Sequence, residues 1–412
     1  MQKNSQISGL LALALACVCS AQTACTASVY SQIAHCVASS TAITLSNIYA
    51  PPSSSIDLTK VKAGTTITFV GKTTFGFTND SSFDPIKLGG SGITITAKSG
   101  AVIDGNGQAY WDGLGSNGGV PKPNHFIAVS KLIGGSVIEN LYIQNWPVHL
   151  FSISGAAGLT IQNLVLNNTA GDAPNAASGK LAAAHNSDGF DLSSSTDTII
   201  KNTSVYNQDD CVAVTSGNNI TIDGVYCYGG HGLSIGSVGG KSNNNVTNIT
   251  FKNSQLVNSS NGARIKSNYN TTGFISNITY SNIKLTNIDT YGIDVQQDYL
   301  NGGPTGNPSN GVIIQNILFQ NVVGTAAASA KNYYVLCGSG SCSNISFSGV
   351  KITGGALTSS CNYPSTGCPA LMSSYETKDY NRQWVSVDPP SSISTQKDQK
   401  IPAVSTQFSL RS

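Results

Sequence analysis

The chain has 412 residues, of which only 10% are charged, and a formal net charge of +2. This length suits one large domain or two ordinary ones. The charged fraction lies well below the roughly 25% usual for soluble domains, and the near-neutral balance excludes the dense basic face that nucleic-acid binders need. Any attraction to an anionic ligand must therefore come from a few placed cations.

The first 21 residues predict a secretory signal peptide. Lys3 supplies a positive start, residues 7–18 form an apolar stretch, and residues 19–21 are small. A transmembrane anchor is the alternative, but a stretch this short is a poor membrane-spanning helix. We therefore expect a secreted, extracellular protein without a membrane partner.

Cysteines are the next feature of the chain. Cleavage after the leader would remove Cys17 and Cys19 and leave eight. An even count in a secreted chain implies disulfides, and local pairing is the simplest arrangement, although the sequence leaves the connectivity open. A zinc site is the alternative, but no CxxC or HxxxH spacing accompanies these cysteines. The close neighbours are Cys25 with Cys36, Cys211 with Cys227, Cys337 with Cys342, and Cys361 with Cys368.

Short runs of alternating apolar residues recur at intervals of roughly 21 to 39 residues. Each run predicts a strand, then a bend at Asn or Gly, then a second strand, because these two residue types tolerate left-handed backbone angles. Asparagines at the bends can also stack in ladders. The runs lie at residues 137–143, 159–166, 198–205, 220–226, 249–256, 278–285, 312–319 and 345–352.

This repeat predicts an all-β, single-domain, right-handed parallel β-helix, a solenoid in which stacked coils share one core. A β-propeller is the first alternative, but it needs four strands per blade and a period near 40 residues. A β-sandwich is the second, but it needs hairpin turns, and clear Asn-Gly hairpins are scarce.

The ends of the chain differ from the repeat. Residues 22–45 predict an N-terminal cap on a catalytic β-helix that spans 22–368. Residues 369–412 are rich in Ser, Gln, Lys and Pro and predict a poorly ordered tail. Glycosylation is possible at the N-x-S/T sites Asn79, Asn167, Asn202, Asn219, Asn245, Asn248, Asn258, Asn270, Asn277 and Asn344.

Four polar clusters fall at strands or at the bends before them. Asp209 follows Asp188 by 21 residues, and His231 follows Asp210 by 21 residues. Residues at the same phase of successive coils become neighbours, about 4.8 Å apart, so one face should collect all four clusters. The clusters are Asn186-Ser-Asp-Gly-Phe-Asp191, Asn207-Gln-Asp-Asp-Cys211, Gly229-Gly-His-Gly-Leu-Ser-Ile-Gly236 and Ala263-Arg-Ile-Lys266.

Three carboxylates in these clusters are candidates for catalysis. Close carboxylates resist ionising together, so one of Asp188, Asp209 and Asp210 should have a raised pKa. Glycoside cleavage needs this difference, because one carboxyl must be protonated while another is ionised. A solvated Asp-Asp turn is the ordinary alternative for Asp209 and Asp210, and their convergence with Asp188 favours catalysis.

Cations and a tyrosine accompany the acids. Arg264 and Lys266 flank Ile265 and so point to the same side of a strand. They could form ion pairs with the acids, or they could bind the carboxylate of a uronic acid. His231 stands between glycines, where a backbone can approach a ligand, but it could instead be a buried histidine held by a carbonyl. Tyr291 could contact a sugar or merely pack.

Together these clusters resemble the fungal-type polygalacturonases of glycoside hydrolase family 28. The match includes Gly229 to Gly240, Arg264-Ile-Lys266 and Tyr291-Gly-Ile293, and it runs from about residue 25 to 368 with the four cysteine pairs. Ser187 and Ser267 stand where the family more often has Thr, and neither change removes a catalytic group.

The resemblance implies that the protein hydrolyses α-1,4-galacturonosyl linkages of pectin, or homogalacturonan, with inversion and without a metal or cofactor. Asp209 would be the general acid, Asp188 and Asp210 would activate the water, and His231 would tune the acid. Inversion needs room for that water, so the acid and base carboxyls should lie roughly 6.5–9.5 Å apart.

The resemblance also implies substrate-binding residues. Arg264 and Lys266 would hold the substrate carboxylate, Tyr291 would shape the subsite, and Asn186 and Gln208 would contact the sugar. The third cluster resembles endo-acting members and a monomer is expected, but exo action stays open, as does a catalytically silent pectin-binding protein. A calcium-dependent lyase is a further alternative, although no DxDxDG loop is present.

Overall fold

The computed structural model describes residues 23–300 and 303–369. The predicted signal peptide and the tail from residue 370 onward lie outside the described residues. Parallel strands dominate the described part, which confirms the predicted all-β parallel β-helix. No helix among the described residues is long and apolar enough to cross a membrane.

Each coil of the β-helix contributes strands to three parallel ladders. The first ladder belongs to a 12-stranded sheet, and a short strand, Gly303–Pro304, pairs antiparallel with its strand Tyr291–Leu300. The ladder contains Ile56–Leu58, Ile86–Ser91, Ile127–Ile133, Phe151–Ser154, Phe190–Ser193, Val212–Val214, Leu233–Val238, Asn261–Asn268, Tyr291–Leu300, Lys331–Leu336 and Ser360–Cys361.

The second and third ladders form a 20-stranded sheet, joined by the long strands Asn245–Val257, Gly273–Ile288 and Val312–Ala326. The second ladder also contains Ala24–Ala27, Ala42–Ser46, Thr66–Val70, Thr94–Ala97, Val137–Glu139, Thr160–Gln162, Ser195–Lys201, Gly217–Asp223 and Cys342–Ser348. The third also contains Tyr49–Ala50, Lys72–Phe75, Val102–Asp104, Tyr142–Gln144, Val165–Asn167, Ser204–Tyr206, Tyr226–Tyr228 and Lys351–Thr353.

The core lies inside the coil, where like residues stack in register from one coil to the next. In the second ladder, Phe251 stacks on Tyr280, with ring centroids 4.7 Å apart, and Tyr280 stacks on Phe319 at 5.2 Å. Because the strands are parallel and in register, each inward side chain meets its counterpart on the neighbouring coil. The core of this β-helix is therefore built from side chains stacked coil on coil, whereas a two-layer fold has a core of side chains that interdigitate between layers.

Asparagines turn the chain at the bends, as predicted. Asn282 has a φ of 55°, in the left-handed region. Its amide donates to the Asn253 carbonyl at 3.1 Å, and its own carbonyl accepts from Asn321 at 3.1 Å. A parallel ladder of side-chain bonds links Asn248, Asn277, Asn316 and Asn344.

The N-terminal cap closes one end of the stack. It contains the 3₁₀ helix Tyr30–Gln32 and the α-helix Ile33–Ser39, and the latter buries Ile33, Cys36 and Val37 against the first coils.

Three further 3₁₀ turns lie at Gly107–Ala109, Gly115–Asn117 and Thr169–Gly171. All four expected cysteine pairs are bonded: Cys25–Cys36, Cys211–Cys227, Cys337–Cys342 and Cys361–Cys368.

The asparagine ladder supports a stability prediction. Replacing Asn282 with Ala should lower the free energy of unfolding by about 3–4 kcal/mol, because Ala loses two ladder bonds of about 1 kcal/mol each and strains a left-handed backbone by about 1–2 kcal/mol. Asn282→Gly is the matched control, since it loses the bonds without the strain. Denaturant titration of both variants should rank Ala below Gly, and equal losses would contradict the role of the backbone angle.

Candidate active site

Four polar side chains form a row along the axis of the β-helix. Each belongs to the residue two positions before a strand of the first ladder. In that ladder Phe151 pairs with Phe190, Phe190 with Val212, and Val212 with Leu233. Backbone bonds from Leu150 to Asp188 and from Gly189 to Asp210 continue this register into the bends. We call this the axial row, and its members are His149, Asp188, Asp210 and His231.

The bend that carries Asp209 and Asp210 is held by Asn207. Its amide donates to the carbonyls of Ser187 at 3.0 Å, Asp209 at 2.9 Å and Asp210 at 3.0 Å. A single buried side chain thereby fixes two neighbouring coils against each other. Asp209 and Asp210 are consequently carried by a bend whose backbone is fixed by hydrogen bonds.

Glycines flank His231 because neighbouring coils approach closely there. A Cβ at Gly230 would lie 2.4 Å from the Asp209 carbonyl, and a Cβ at Gly232 would lie 2.5 Å from the Asn261 carbonyl. The sequence suggested close approach to a ligand at these glycines. In the structure they instead allow backbone to stack on backbone, which brings His231 beside Asp209.

The three aspartates converge, as predicted. One carboxylate oxygen from each of Asp188, Asp209 and Asp210 lies within 4.8 Å of those of the others. The spacing of roughly 6.5–9.5 Å expected between the acid and base carboxyl groups of an inverting pair stays a prediction.

Asp209 is surrounded by positive charge and donors. His231 Nδ1 lies 3.0 Å from its Oδ1, the amide of Asn186 donates to its Oδ2 at 3.2 Å, and the Asp210 backbone N–H donates to its Oδ1 at 2.7 Å. Burial alone would raise the pKa of Asp209, but the charge of His231 and its hydrogen bond outweigh burial and lower that pKa below its usual range. These contacts therefore favour the ionised form of Asp209.

Asp188 has the opposite environment. Burial, followed by the negative charges of Asp209 and Asp191, raises the pKa of Asp188 to about 8. The only opposing cation close to it in the described part of the chain is His149, whose Nδ1 lies 3.0 Å from Asp188 Oδ1 and 3.5 Å from Asp191 Oδ2. Between them, Asp188 and Asp209 provide the unequal protonation that the sequence led us to expect.

His149 was not identified from the sequence. It belongs to the axial row and lies one coil before Asp188. Its position two residues before an apolar strand is the one sequence signal that could have identified it. The flanking residues do not form a recognisable motif, and only the coil register shows that His149 meets the aspartates.

Arg264 and Lys266 lie on the same side of their strand, as predicted, and both approach Asp210. Lys266 Nζ donates to Asp210 Oδ2 at 2.7 Å, Arg264 Nη1 lies 4.0 Å from Oδ1, and Ser234 Oγ donates to Oδ1 at 2.7 Å. Arg264 Nε also lies 3.3 Å from the buried Asp294. The ion pairs that the sequence left as an alternative are therefore present in the structure.

Tyr299, not Tyr291, is the aromatic residue beside these cations. Its ring centroid lies 5.6 Å from Arg264 Cζ and 5.2 Å from Lys266 Nζ. Tyr291 instead stacks on Tyr334 of the next coil, with centroids 4.9 Å apart. The strand pairing shifts its register after Lys266, and this shift places Tyr299 beside Asn268 and near the two cations. Alternation of side chains along the strand could not have predicted this position.

Asn186 and Gln208 both contact protein groups of the site. Asn186 links Asp209 to the neighbouring loop, because its Oδ1 accepts from the backbone N–H and the hydroxyl of Ser116 at 3.1 Å. Gln208 Nε2 donates to Asp172 Oδ1 at 2.6 Å, and its Oε1 accepts from Ser187 Oγ at 2.7 Å. Gln208 therefore orders the bend with both of its polar atoms.

A metal ion is poorly suited to the three aspartates. One ligand atom from each lies within 4.8 Å of the others, as also holds for His149, Asp188 and Asp191. In the first group, however, Lys266 and His231 already neutralise two of the carboxylates at 2.7 and 3.0 Å. Adding a divalent cation would place like charges in contact.

Sequence comparison relates this chain to a known family of enzymes. The family described as Glycosyl hydrolases family 28 matches residues 40–370. A polygalacturonase of Fusarium fujikuroi is 59% identical over 347 residues, which cover 84% of this chain and 93% of that protein. Endopolygalacturonase D of Aspergillus niger is also 59% identical over 347 residues, covering 84% and 70% respectively.

Solved structures agree with this assignment. An endopolygalacturonase I of Stereum purpureum, complexed with two galacturonate molecules, superposes with a TM-score of 0.68 at 29% identity, covering 81% of this chain and 96% of that one. The endo-xylogalacturonan hydrolase of Aspergillus tubingensis gives a TM-score of 0.71 at 25% identity, covering 85% and 99%. The chain belongs to family 28 of the glycosyl hydrolases, and the expected family resemblance is confirmed.

The raised pKa of Asp188 predicts a pH-dependent gain in stability for Asp188→Asn. Below the ordinary value of 3.8 the carboxyl is protonated in both folded and unfolded states, so the substitution has no effect through this group. Between 3.8 and about 8 the folded protein retains a proton that the unfolded chain releases, so wild-type stability falls as pH rises. The neutral Asn avoids this loss.

Thermal unfolding of both proteins from pH 4 to 8 measures the effect. The Asn variant should melt about 2 °C or more above wild type at pH 7, and the gap should close towards pH 4. Asp289→Asn, at an exposed bend, is the control and should leave the melting temperature unchanged. An Asp188→Asn variant that melts below wild type at pH 7 would contradict the proposed environment.

Proposed function

We propose that this protein is a secreted, endo-acting polygalacturonase that hydrolyses α-1,4-galacturonosyl linkages of pectin. The observation that carries the proposal is a cluster of three aspartates joined to Arg264 and Lys266 on one face. Glycoside cleavage needs carboxyls of unequal protonation, and a polyanionic uronan needs placed cations in a protein of so little net charge. The names of relatives about 60% identical support the choice of substrate.

In the proposed reaction Asp209 protonates the glycosidic oxygen, while Asp188 and Asp210 activate the attacking water. The side chains of the site by themselves favour the proton on Asp188 instead, because the pKa of Asp188 is raised and that of Asp209 is lowered. Binding of a galacturonate carboxylate near Arg264 and Lys266 would weaken the positive field at Asp209 and raise its pKa. The substrate itself would thereby convert Asp209 into an acid and leave Asp188 able to act as a base.

Substrate-assisted proton transfer also gives His231 a role. Its ion pair with Asp209 would have to loosen as Asp209 takes the proton, so His231 would set the pH at which the acid forms. Asn186 would keep the carboxyl oriented throughout, because its amide donates to the other oxygen of Asp209. Arg264 and Lys266 would exchange part of their contact with Asp210 for the substrate carboxylate.

Asp209→Asn tests the catalytic assignment. Loss of a general acid should lower kcat on polygalacturonate by at least about 10²-fold, measured as release of reducing ends between pH 4 and 8. Asp289→Asn serves as the control and should retain full activity. Early products of the wild type should be a series of oligomers, because endo action cuts within the chain, and galacturonate alone as the first product would indicate exo action.

Wild-type protein that releases no reducing ends from polygalacturonate across this range would refute the enzymatic proposal. An Asp209→Asn variant with unchanged activity would instead refute the role of this residue. Products that absorb in the ultraviolet would indicate a lyase, since elimination leaves a double bond.

The stereochemical course is the last part of the proposal. Resemblance to the family favours inversion, in which water attacks the anomeric carbon from the face opposite the leaving oxygen. Retention, in which one aspartate would attack the anomeric carbon directly, is the alternative outcome.

Proton NMR of the reducing end formed in the first minutes distinguishes the two. We expect the β-anomer to appear before mutarotation, because inversion at an α-linkage yields β product. An initial α-anomer would establish retention and would replace the water-activating role of Asp188 or Asp210 with a nucleophilic one.

A further inference from the structure

A buried carboxyl group lies behind Arg264. Asp294 is fully buried, and its strand neighbours Ile293 and Val295 face the core. Because side chains alternate along a strand, Asp294 points to the opposite side, and the strand pairing places it beside Arg264 of the preceding coil. Arg264 Nε lies 3.3 Å from Asp294 Oδ2. The proposed reaction gives this buried acid no task.

The contacts of Asp294 are incomplete for a permanently charged group. Gln296 Nε2 donates to Asp294 Oδ2 at 2.6 Å, but Oδ1 has no hydrogen-bond partner among the described residues. Arg264 Nε also lacks one within the described part of the chain, so its 3.3 Å contact is an ion pair without an aligned hydrogen bond. Buried carboxylates that serve structure alone have their oxygens hydrogen-bonded. Asp294 is therefore placed where both its neutral and its ionised form can exist.

Arg264 is shared between two acids. Its Nη1 lies 4.0 Å from Asp210 Oδ1, on the side of the catalytic aspartates, whereas its Nε faces Asp294. Lys266 is paired with Asp210 at 2.7 Å. When Asp210 and Asp294 are both ionised, the two cations face two carboxylates and their charges are compensated. When Asp294 is neutral, one positive charge remains uncompensated beside Asp210.

The surroundings of Asp294 determine the pH at which it ionises. Burial, opposed by the charge of Arg264 and assisted by that of Asp298, raises the pKa of Asp294 to about 7. The carboxyl is therefore neutral in mildly acidic solution and ionised in mildly alkaline solution. The titratable and charged groups that face it are Arg264 and Lys266 on the preceding coil, Tyr291 and Asp298 on its own strand, Tyr334 on the next coil and Tyr280 in the core.

We propose that Asp294 is a positioning residue that acts through Arg264: while neutral it leaves the guanidinium charge to a galacturonate carboxylate, and when ionised it competes with that carboxylate. The proposal rests on the proposed function and adds to it the residue that sets the pH range of substrate binding. Asp294 meets the aspartate cluster only through Arg264 among the described contacts. Its ionisation should therefore act on KM and not on kcat.

Asp294→Asn tests this assignment, because Asn keeps the size of the side chain and an acceptor for Gln296 but cannot ionise. In the wild type, KM for polygalacturonate should rise about tenfold between about pH 5.5 and 8, since apparent affinity falls with the fraction of protein whose Asp294 is neutral. The variant should lose most of this rise, which leaves its KM at pH 8 at least about fivefold below the wild-type value. Asp188 titrates in the same range, but both proteins contain it, so the difference between them isolates Asp294.

Two further variants complete the experiment. Asp289→Asn, at the exposed bend before the same strand, is the control and should keep the wild-type KM profile. Asp298→Asn removes a negative charge that opposes the ionisation of Asp294, so the rise in KM should begin at a lower pH. It also keeps an acceptor for the Gly306 backbone N–H, which donates to Asp298 Oδ2 at 2.7 Å.

A KM that rises as steeply in Asp294→Asn as in the wild type would overturn the proposal. So would a KM raised by the same factor at both pH values, because that result indicates a structural role alone. If Asp294→Asn fails to fold, an unmoved KM profile in Asp298→Asn would overturn the proposal instead. Wild-type protein that releases no reducing ends at any pH would refute the proposed function itself.

Discussion

Parallel pairing in strict register along the first ladder is the constraint on which this protein depends. A slip of one residue in any coil would turn the inward column of Phe190, Val212 and Leu233 to solvent. The same slip would break the axial row, because Asp188, Asp210 and His231 each stand two residues before those strands. Core packing and assembly of the active site therefore depend on the same backbone hydrogen bonds.

Electrostatic balance within the site follows from this stacking. Three carboxylates brought within 4.8 Å of one another would repel strongly if left alone. Each receives a different partner from another coil: His149 for Asp188, His231 for Asp209, and, from two coils further on, Lys266 for Asp210. Burial tends to raise the pKa of both Asp188 and Asp209; at Asp188 the charges of Asp209 and Asp191 raise it further, whereas at Asp209 the charge and hydrogen bond of His231 bring it below its usual range. Differences of environment, not of residue type, separate the chemical roles of the three aspartates.

The active site is assembled from two kinds of segment. Strands of the first ladder supply Arg264 and Lys266, whose positions are dictated by alternation along a strand. The loop that carries Ser116 is outside the ladders, and it bonds to Asn186, whose amide in turn bonds to Asp209.

Much of the architecture was readable from the sequence. Alternating apolar residues with Asn at the bends predicted the coil, because only a repeated strand pattern buries an inner face that one coil cannot bury alone. Recurrence at intervals of 21 residues brought Asp188, Asp209, Asp210 and His231 together. Cysteines that lie close in sequence form the four disulfides, which is the local pairing that the sequence made the simplest arrangement.

Only the tertiary structure decided the partners across coils and across irregularities. His149 has no motif around it, and it meets Asp188 solely through stacking. Tyr299 reaches the cations through a register shift that alternation cannot foresee. The short distance between the aspartates likewise depends on how the bends of successive coils pack. Periodicity along a chain specifies which residues share a face, whereas distances, charges and neighbours on that face arise only when the coils are stacked.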